Sequence, residues 1–336
     1  NIQSPPPVPE SCVFLNVGRL DFDESLNFRA FEPVVPVAPK FVTDPSDEDD
    51  LVQRSMEGDP SILVTKEIPV PGSAIRRFPP SVNLIVEAGT GYNNIDLEAA
   101  RERGITVCNV PSYSRDAVAQ LVLTFILASS CSLLAQHRRL CDGDRGNFLG
   151  PFMDTPIVEL KGRTIGLVGG RGSIGSRVSE LARAVGMRVI VGSRSLPSAQ
   201  THSAGVEYAS SLEELLEASD FVSLHCPLTP DTEHLIDAAA LSRMKSTAVL
   251  INTARGGLID ESALVIALRE GQIAAAYLDV QDPEPPVETS ALWSLPNAYL
   301  TPHIGWKRTE TRQRLIDAVA GNIRSFLSGT PTNVVS

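Results

Sequence analysis

The sequence predicts an α/β protein of two domains, one built on a doubly wound parallel sheet and inserted into a second, smaller α/β domain. Three observations predict it. Short apolar runs alternate with helical patterns, a glycine-rich turn joins one run to a helix near the middle, and a last helical stretch, Thr309 to Leu327, follows the final strand signal. At 336 residues two domains are the expected number, and an apolar content of 43% is enough for two sizeable cores.

After a Pro-rich start, strand signals run over Cys12 to Val17, Ser61 to Thr65, Asn83 to Val86 and Ile105 to Asn109. A longer series follows: Thr164 to Val168, Arg188 to Val191, Phe221 to His225, Ala248 to Asn252, Ala275 to Asp279, and Ala298 to Leu300. Ser211-Leu212-Glu213-Glu214 has the pattern of a capping box, which opens a helix. Ala117 to Ala135 approaches bilayer length, but Gln120, Thr124, Ser129, Ser130 and Ser132 interrupt it, so it reads as a helix buried within or between domains. The last helix is expected to cross back to the first domain. That places one domain at 1–112 with 308–336 and the other at 113–307.

Composition removes several function classes. A net charge of −11 argues against nucleic acid and anionic membrane as partners, since both require a basic surface. The acidic cluster from Asp44 to Asp50 reads as a solvated loop and helix start. The five cysteines are scattered and lack zinc spacing, so no metal is expected and a reducing compartment, the cytoplasm, is indicated. A start at Asn1 without Met leaves organelle targeting open.

The central motif is Thr164 to Gly175, in which a β-branched run feeds into G-x-G-x-x-G and then a helix. Here Gly170 takes the tight turn, Gly172 lets the backbone approach a pyrophosphate, and Gly175 lets the helix pack on its strand. The amides of Ser173 and Ile174 then open the helix toward the anion. Gly169 precedes the motif as an additional residue. After the next strand, Ser193, Arg194 and Ser195 stand where a dinucleotide site for NAD carries an acid. A carboxylate there repels a 2′-phosphate by on the order of a few kcal/mol, whereas guanidinium matches phosphate in a fork. The reading is NADP(H) preferred, with NAD(H) as the second candidate.

Three further segments end successive strand signals: Asn252 to Gly257, Leu278 to Pro285, and Leu300 to Gly305. They bring Arg255, Glu284 and His303 to the carboxyl side of the sheet, where ligands bind in such folds. The loop Ala88 to Asp96 adds glycines whose amides can hold a carboxylate.

These residues in this order resemble the D-isomer-specific 2-hydroxyacid dehydrogenases, most strongly the glyoxylate and hydroxypyruvate reductase branch, over about Ile62 to Val335. The resemblance implies a Rossmann cofactor domain inserted into a smaller flavodoxin-like substrate domain. It also implies that Arg255 clamps the substrate carboxylate and carbonyl, that His303 exchanges a proton with the substrate oxygen, and that Glu284 orients His303. Asp279 would hold the nicotinamide carboxamide with help from Ala254, and Thr90 and Gly91 would offer amides to the carboxylate. Cys226, Pro227 and Thr253 join the cofactor contacts by the same resemblance, and a homodimer is implied, with Ala117 to Ala135 at its interface. Gln281-Asp282 and Trp306-Lys307 depart from the family pattern, and Trp306 either narrows the pocket or packs between domains. An NAD-linked dehydrogenase of another D-2-hydroxy acid and a dinucleotide-sensing corepressor-like protein are the alternatives.

Overall fold

Apolar runs without alternation make strands buried on both faces, and the first four signals do so. In a computed structural model describing residues 11–35, 37–40, 44–149, 157–192 and 205–336, the chain divides into two compact units, Asn1–Ser114 with Lys307–Ser336, and Arg115–Trp306.

The first unit holds β1 (Cys12–Phe14), β2 (Val37–Lys40), α1 (Glu48–Ser55), β3 (Ile62–Thr65), α2 (Gly72–Ile75), β4 (Leu84–Glu87), α3 (Leu97–Glu102) and β5 (Thr106–Cys108). Its strands pair in parallel in the order β2-β1-β3-β4-β5, the flavodoxin-like order. The acidic cluster starts α1: Asp47 caps it by accepting from Asp50 N, and Glu48, Asp49 and Asp50 fill its first turn. Val13, Leu15, Leu63, Ile85 and Val107 pack with residues of the three helices in one core.

The second unit runs through α4 (Arg115–Ser130), α5 (Leu133–Cys141), α6 (Gly146–Leu149), β6 (Thr164–Val168), α7 (Ser173–Ala184), β7 (Arg188–Gly192), β8 (Glu207–Tyr208), α8 (Leu212–Ala218), β9 (Phe221–Leu224), α9 (Ala238–Arg243), β10 (Val249–Asn252), α10 (Glu261–Arg269), β11 (Ala275–Leu278) and β12 (Ala298–Leu300). The all-parallel order β12-β11-β10-β9-β6-β7-β8 reverses direction between β6 and β9, and ligands bind at such a switch point. Period-two alternation divides its strands between two cores. Ile165, Leu167, Phe221, Val249 and Ile251 face one, while Val168, Val222, Leu224 and Leu250 face the other. α11 (Thr309–Leu327) returns to the first unit.

Some expectations are corrected. The stretch Ala117 to Ala135 is not one buried helix: it breaks at Ser132, whose φ is +48°, and α4 and α5 meet at 62°. Nine residues of α4 are buried and none of α5, because the apolar run gives way to Gln-His-Arg-Arg. Among the described residues no single helix is long and apolar enough to cross a membrane. In the capping box, Ser211 accepts from Glu214 N as expected, but the Glu214 carboxylate takes the amide and hydroxyl of Ser210 instead of the cap's own amide. The edge strands β2 and β8 gave no sequence signal, the first containing Pro39 and the second only two residues long.

Candidate active site

The glycine-rich turn follows β6, and its left-handed residue is Gly169, at φ +80°. This corrects the assignment of the tight turn to Gly170. Gly169 N donates to Gly192 O at 2.9 Å, and its carbonyl accepts from Gly172 N at 3.0 Å. Gly170 is required for space instead: a Cβ there would lie 2.8 Å from Leu167 Cβ and 2.9 Å from Val191 Cγ2. At Gly175 a Cβ would stand 2.6 Å from Gly170 Cα, so glycine lets the helix press on the turn that follows β6. Gly172 is open, its nearest neighbour 3.4 Å away. It caps α7 without a side chain, leaving the first-turn amides of Ser173, Ile174 and Gly175 as a cradle for an anion. Ser193, Arg194 and Ser195 lie outside the described residues.

Gly169→Ala is expected to lower unfolding free energy by about 1–3 kcal/mol, because an L side chain is strained at positive φ. Its Cβ would also meet Cys226 N at 2.7 Å. Urea unfolding measures it, and a midpoint equal to that of the parent chain contradicts the turn assignment.

Cys226 and Pro227 follow β9, and Cys226 lies beside this turn through its amide's approach to Gly169. Sequence reasoning gave no role to their neighbour His225. The residue is half-buried, but its Nε2 is shielded from solvent and has no partner among the described residues, and burial pushes the imidazole down to about 4. The signal was available: Ser223 and His225 stand at the end of an otherwise apolar strand signal. After β10, Thr253 Oγ1 is likewise buried without a partner. Asn252, fully buried, shapes this loop by accepting from Ala254 N at 3.0 Å and donating to Arg255 O at 2.8 Å.

Arg255, Glu284 and His303 follow β10, β11 and β12, three neighbouring parallel strands. His303 Nδ1 stands 2.8 Å from Glu284 Oε2, and Gln281 N donates to Glu284 Oε1 at 3.0 Å. One carboxylate oxygen is thus anchored to backbone while the other meets the ring. The Arg255 loop packs directly on the Glu284 loop. A Cβ at Gly256 would lie 2.1 Å from the Gln281 carbonyl, so only glycine permits that approach. Arg255 itself is half-buried, with Nη1 donating to Ala254 O at 2.7 Å.

Asp279, 1% exposed, accepts from Thr301 Oγ1 at 2.6 Å, Ile304 N at 2.8 Å and Gly305 N at 2.8 Å. Burial pushes its carboxyl up against these three donors. It holds the His303 loop, in which His303 has φ +50° and donates its amide to Asp279 O. Trp306 is buried. In the first unit, Thr90 and Gly91 follow β4. Thr90 is fixed through Oγ1 to Val110 O and through its carbonyl, which accepts from Asn109 Nδ2 at 2.7 Å.

A nicotinamide dinucleotide fits the second unit's residues. The Gly172 cradle suits its pyrophosphate, and the unpartnered His225 Nε2 and Thr253 Oγ1 offer buried polar contacts.

Comparison with known proteins follows the same line. The family model described as "D-isomer specific 2-hydroxyacid dehydrogenase, NAD binding domain" matches residues 126–305. A hydroxypyruvate reductase of Blautia hydrogenotrophica is 34% identical over 293 residues, covering 87% of this chain and 89% of its own. A glyoxylate reductase of Aeropyrum pernix is 40% identical over 267 residues, covering 76% and 77%. The structure of an NADPH-dependent glyoxylate/hydroxypyruvate reductase from Sinorhizobium meliloti, in complex with NADP and malonate, superposes with a TM-score of 0.81 at 29% identity, covering 98% of this chain and 97% of that one.

Proposed function

The chain belongs to the D-isomer-specific 2-hydroxyacid dehydrogenase family, and from that premise we propose that it reduces small 2-oxo acids, glyoxylate and hydroxypyruvate, to D-2-hydroxy acids with NADPH. As an oxidoreductase of this family it uses a nicotinamide dinucleotide and acts on small 2-oxo or 2-hydroxy acids. The pairing of His303 with Glu284 at 2.8 Å, on a loop beside Arg255, carries the finer reading.

When bound, the cofactor supplies the hydride. Negative charge then grows on the substrate oxygen, so a cation and a proton donor must converge there. Arg255 is assigned the cation, and it binds the substrate carboxylate as well. His303 is assigned the proton, which leaves from Nε2 because Glu284 engages Nδ1 and sets the ring's orientation. Asp279 ties the loop that carries the imidazole, and with Ala254 it is assigned the nicotinamide carboxamide. Amides of Thr90 and Gly91 are assigned the substrate carboxylate.

Arg194 carries the preference for NADPH. Fluorescence titration is expected to show NADPH binding about tenfold tighter than NADH, and Arg194→Asp to weaken NADPH selectively. Equal losses for both cofactors place Arg194 away from the 2′-phosphate. Assayed over a panel of 2-oxo acids with both reduced cofactors, glyoxylate and hydroxypyruvate are expected to give the highest kcat/KM. Turnover confined to bulky 2-oxo acids sinks the substrate assignment.

A further inference from the structure

The carboxyl ends of β3 and β4 carry a buried charge cluster that the roles above leave unused. Lys66 directly follows β3 and is 0% exposed. Its Nζ donates to Glu67 Oε1 and engages the Tyr113 phenol. Asn16 fixes its backbone from both sides, accepting from Lys66 N at 2.9 Å and donating to Lys66 O at 2.7 Å. Glu87 ends β4 and is also 0% exposed. It accepts from Thr65 Oγ1 at 2.7 Å, Glu67 N at 3.0 Å and Asn94 Nδ2 at 3.1 Å.

Gly89, which leads into Thr90 and Gly91, lies against this cluster. A Cβ on Gly89 would sit 3.1 Å from Glu87 Oε1 and 3.5 Å from Lys66 Nζ. Glycine therefore lets the backbone rest on two opposite charges. Burial disfavours the ammonium, but Glu67, Tyr113 and Glu87 outweigh it and hold Lys66 above the ordinary lysine value. Burial pushes the Glu87 carboxyl up, and Lys66 opposes that.

We propose that Lys66 is a positioning residue for the substrate anion: its ammonium, beneath the Gly89-Thr90-Gly91 turn, offsets the Glu67 and Glu87 carboxylates and keeps the turn attractive to a 2-oxo acid's carboxylate. The inference rests on the assignment of Thr90 and Gly91 to that carboxylate. Without Lys66 the backbone at Gly89 loses the positive charge near it, while Glu67 beside that charge loses its partner, and in surroundings this buried the change in field is weakly screened. Glu67 is the only one of the three charged groups with side-chain exposure, at 24%. Neutralising it has the opposite consequence.

Steady-state kinetics with glyoxylate and saturating NADPH test this by the sign of the KM change. Lys66→Met is expected to raise KM about tenfold to a hundredfold while kcat and the NADPH dissociation constant stay within about threefold. Glu67→Gln, which keeps an acceptor for Lys66, is expected to lower KM. A purely structural role moves KM upward in both variants, and that result overturns the proposal, as does an unchanged KM in Lys66→Met. Where Lys66→Met fails to melt cooperatively, Glu67→Gln decides: a KM at or above the parent value overturns the proposal. A parent enzyme that turns over neither glyoxylate nor hydroxypyruvate removes the functional reading and this inference together. An active parent with the wrong KM signs removes this inference alone.

Discussion

Replacing His303 with Ala is expected to lower kcat by about a hundredfold or more while NADPH binding stays nearly intact. The loss follows from removing the group assigned to protonate the substrate oxygen as hydride arrives. Cofactor affinity is spared because the Gly172 cradle and the Gly169 turn belong to other segments. Glu284→Gln separates orientation from proton exchange. Gln keeps an oxygen for Gln281 N but changes what faces His303 Nδ1, 2.8 Å away in the parent. A smaller loss than in His303→Ala is expected. Stopped-flow measurement of NADPH consumption checks both, and an unchanged kcat in His303→Ala ends the assignment.

Arg255→Ala is expected to reduce kcat/KM by about a hundredfold to a thousandfold, the range for removing one group that stabilises a developing oxyanion. Both parameters should suffer, because the guanidinium is assigned the carboxylate in the ground state and the carbonyl oxygen in the transition state. Arg255→Lys restores only part of the loss, since a point charge does not reproduce a planar fork. The surrounding loop should survive either change: Asn252 holds the backbone of Ala254 and Arg255, and Gly256 seats it on Gln281. Equal kcat/KM for Arg255→Ala and the parent places the substrate elsewhere.

Much of the fold was legible because its strands are buried on both faces. Thr164 to Val168 pairs over the very residues that its apolar run marks. The final helix, Thr309–Leu327, follows its own periodicity. Edge elements were less visible: β8 is two residues long and has too little buried surface to leave a pattern. The break at Ser132 was hidden because apolar residues lie on both sides of it, so hydropathy alone runs across the bend.

Arg255, Glu284 and His303 were found from order and chemistry, since each ends a recognisable strand. Gly169 and Gly170 could not be told apart in sequence. Which of two adjacent glycines turns left-handed depends on what a Cβ would strike, and those atoms come from β7 and from the start of the loop after β9. The shielded His225 Nε2, the loop bonds of Asn252 and the Gln281 amide's hold on Glu284 were hidden for the same reason, because these roles lie in hydrogen-bonding geometry and burial.

By itself, then, the chain's order of apolar runs, glycines and polar strand ends determined the two parallel sheets, the dinucleotide turn and the residues to suspect. Those signals are local, written in neighbours along the backbone. Tertiary structure alone decided that Glu284 meets His303, that Asp279 spends its carboxylate on the His303 loop, and that Lys66 is sealed beside Glu87. Each depends on distances between segments remote in the chain, and on the removal of water that makes a charge or a hydrogen bond in such a place matter.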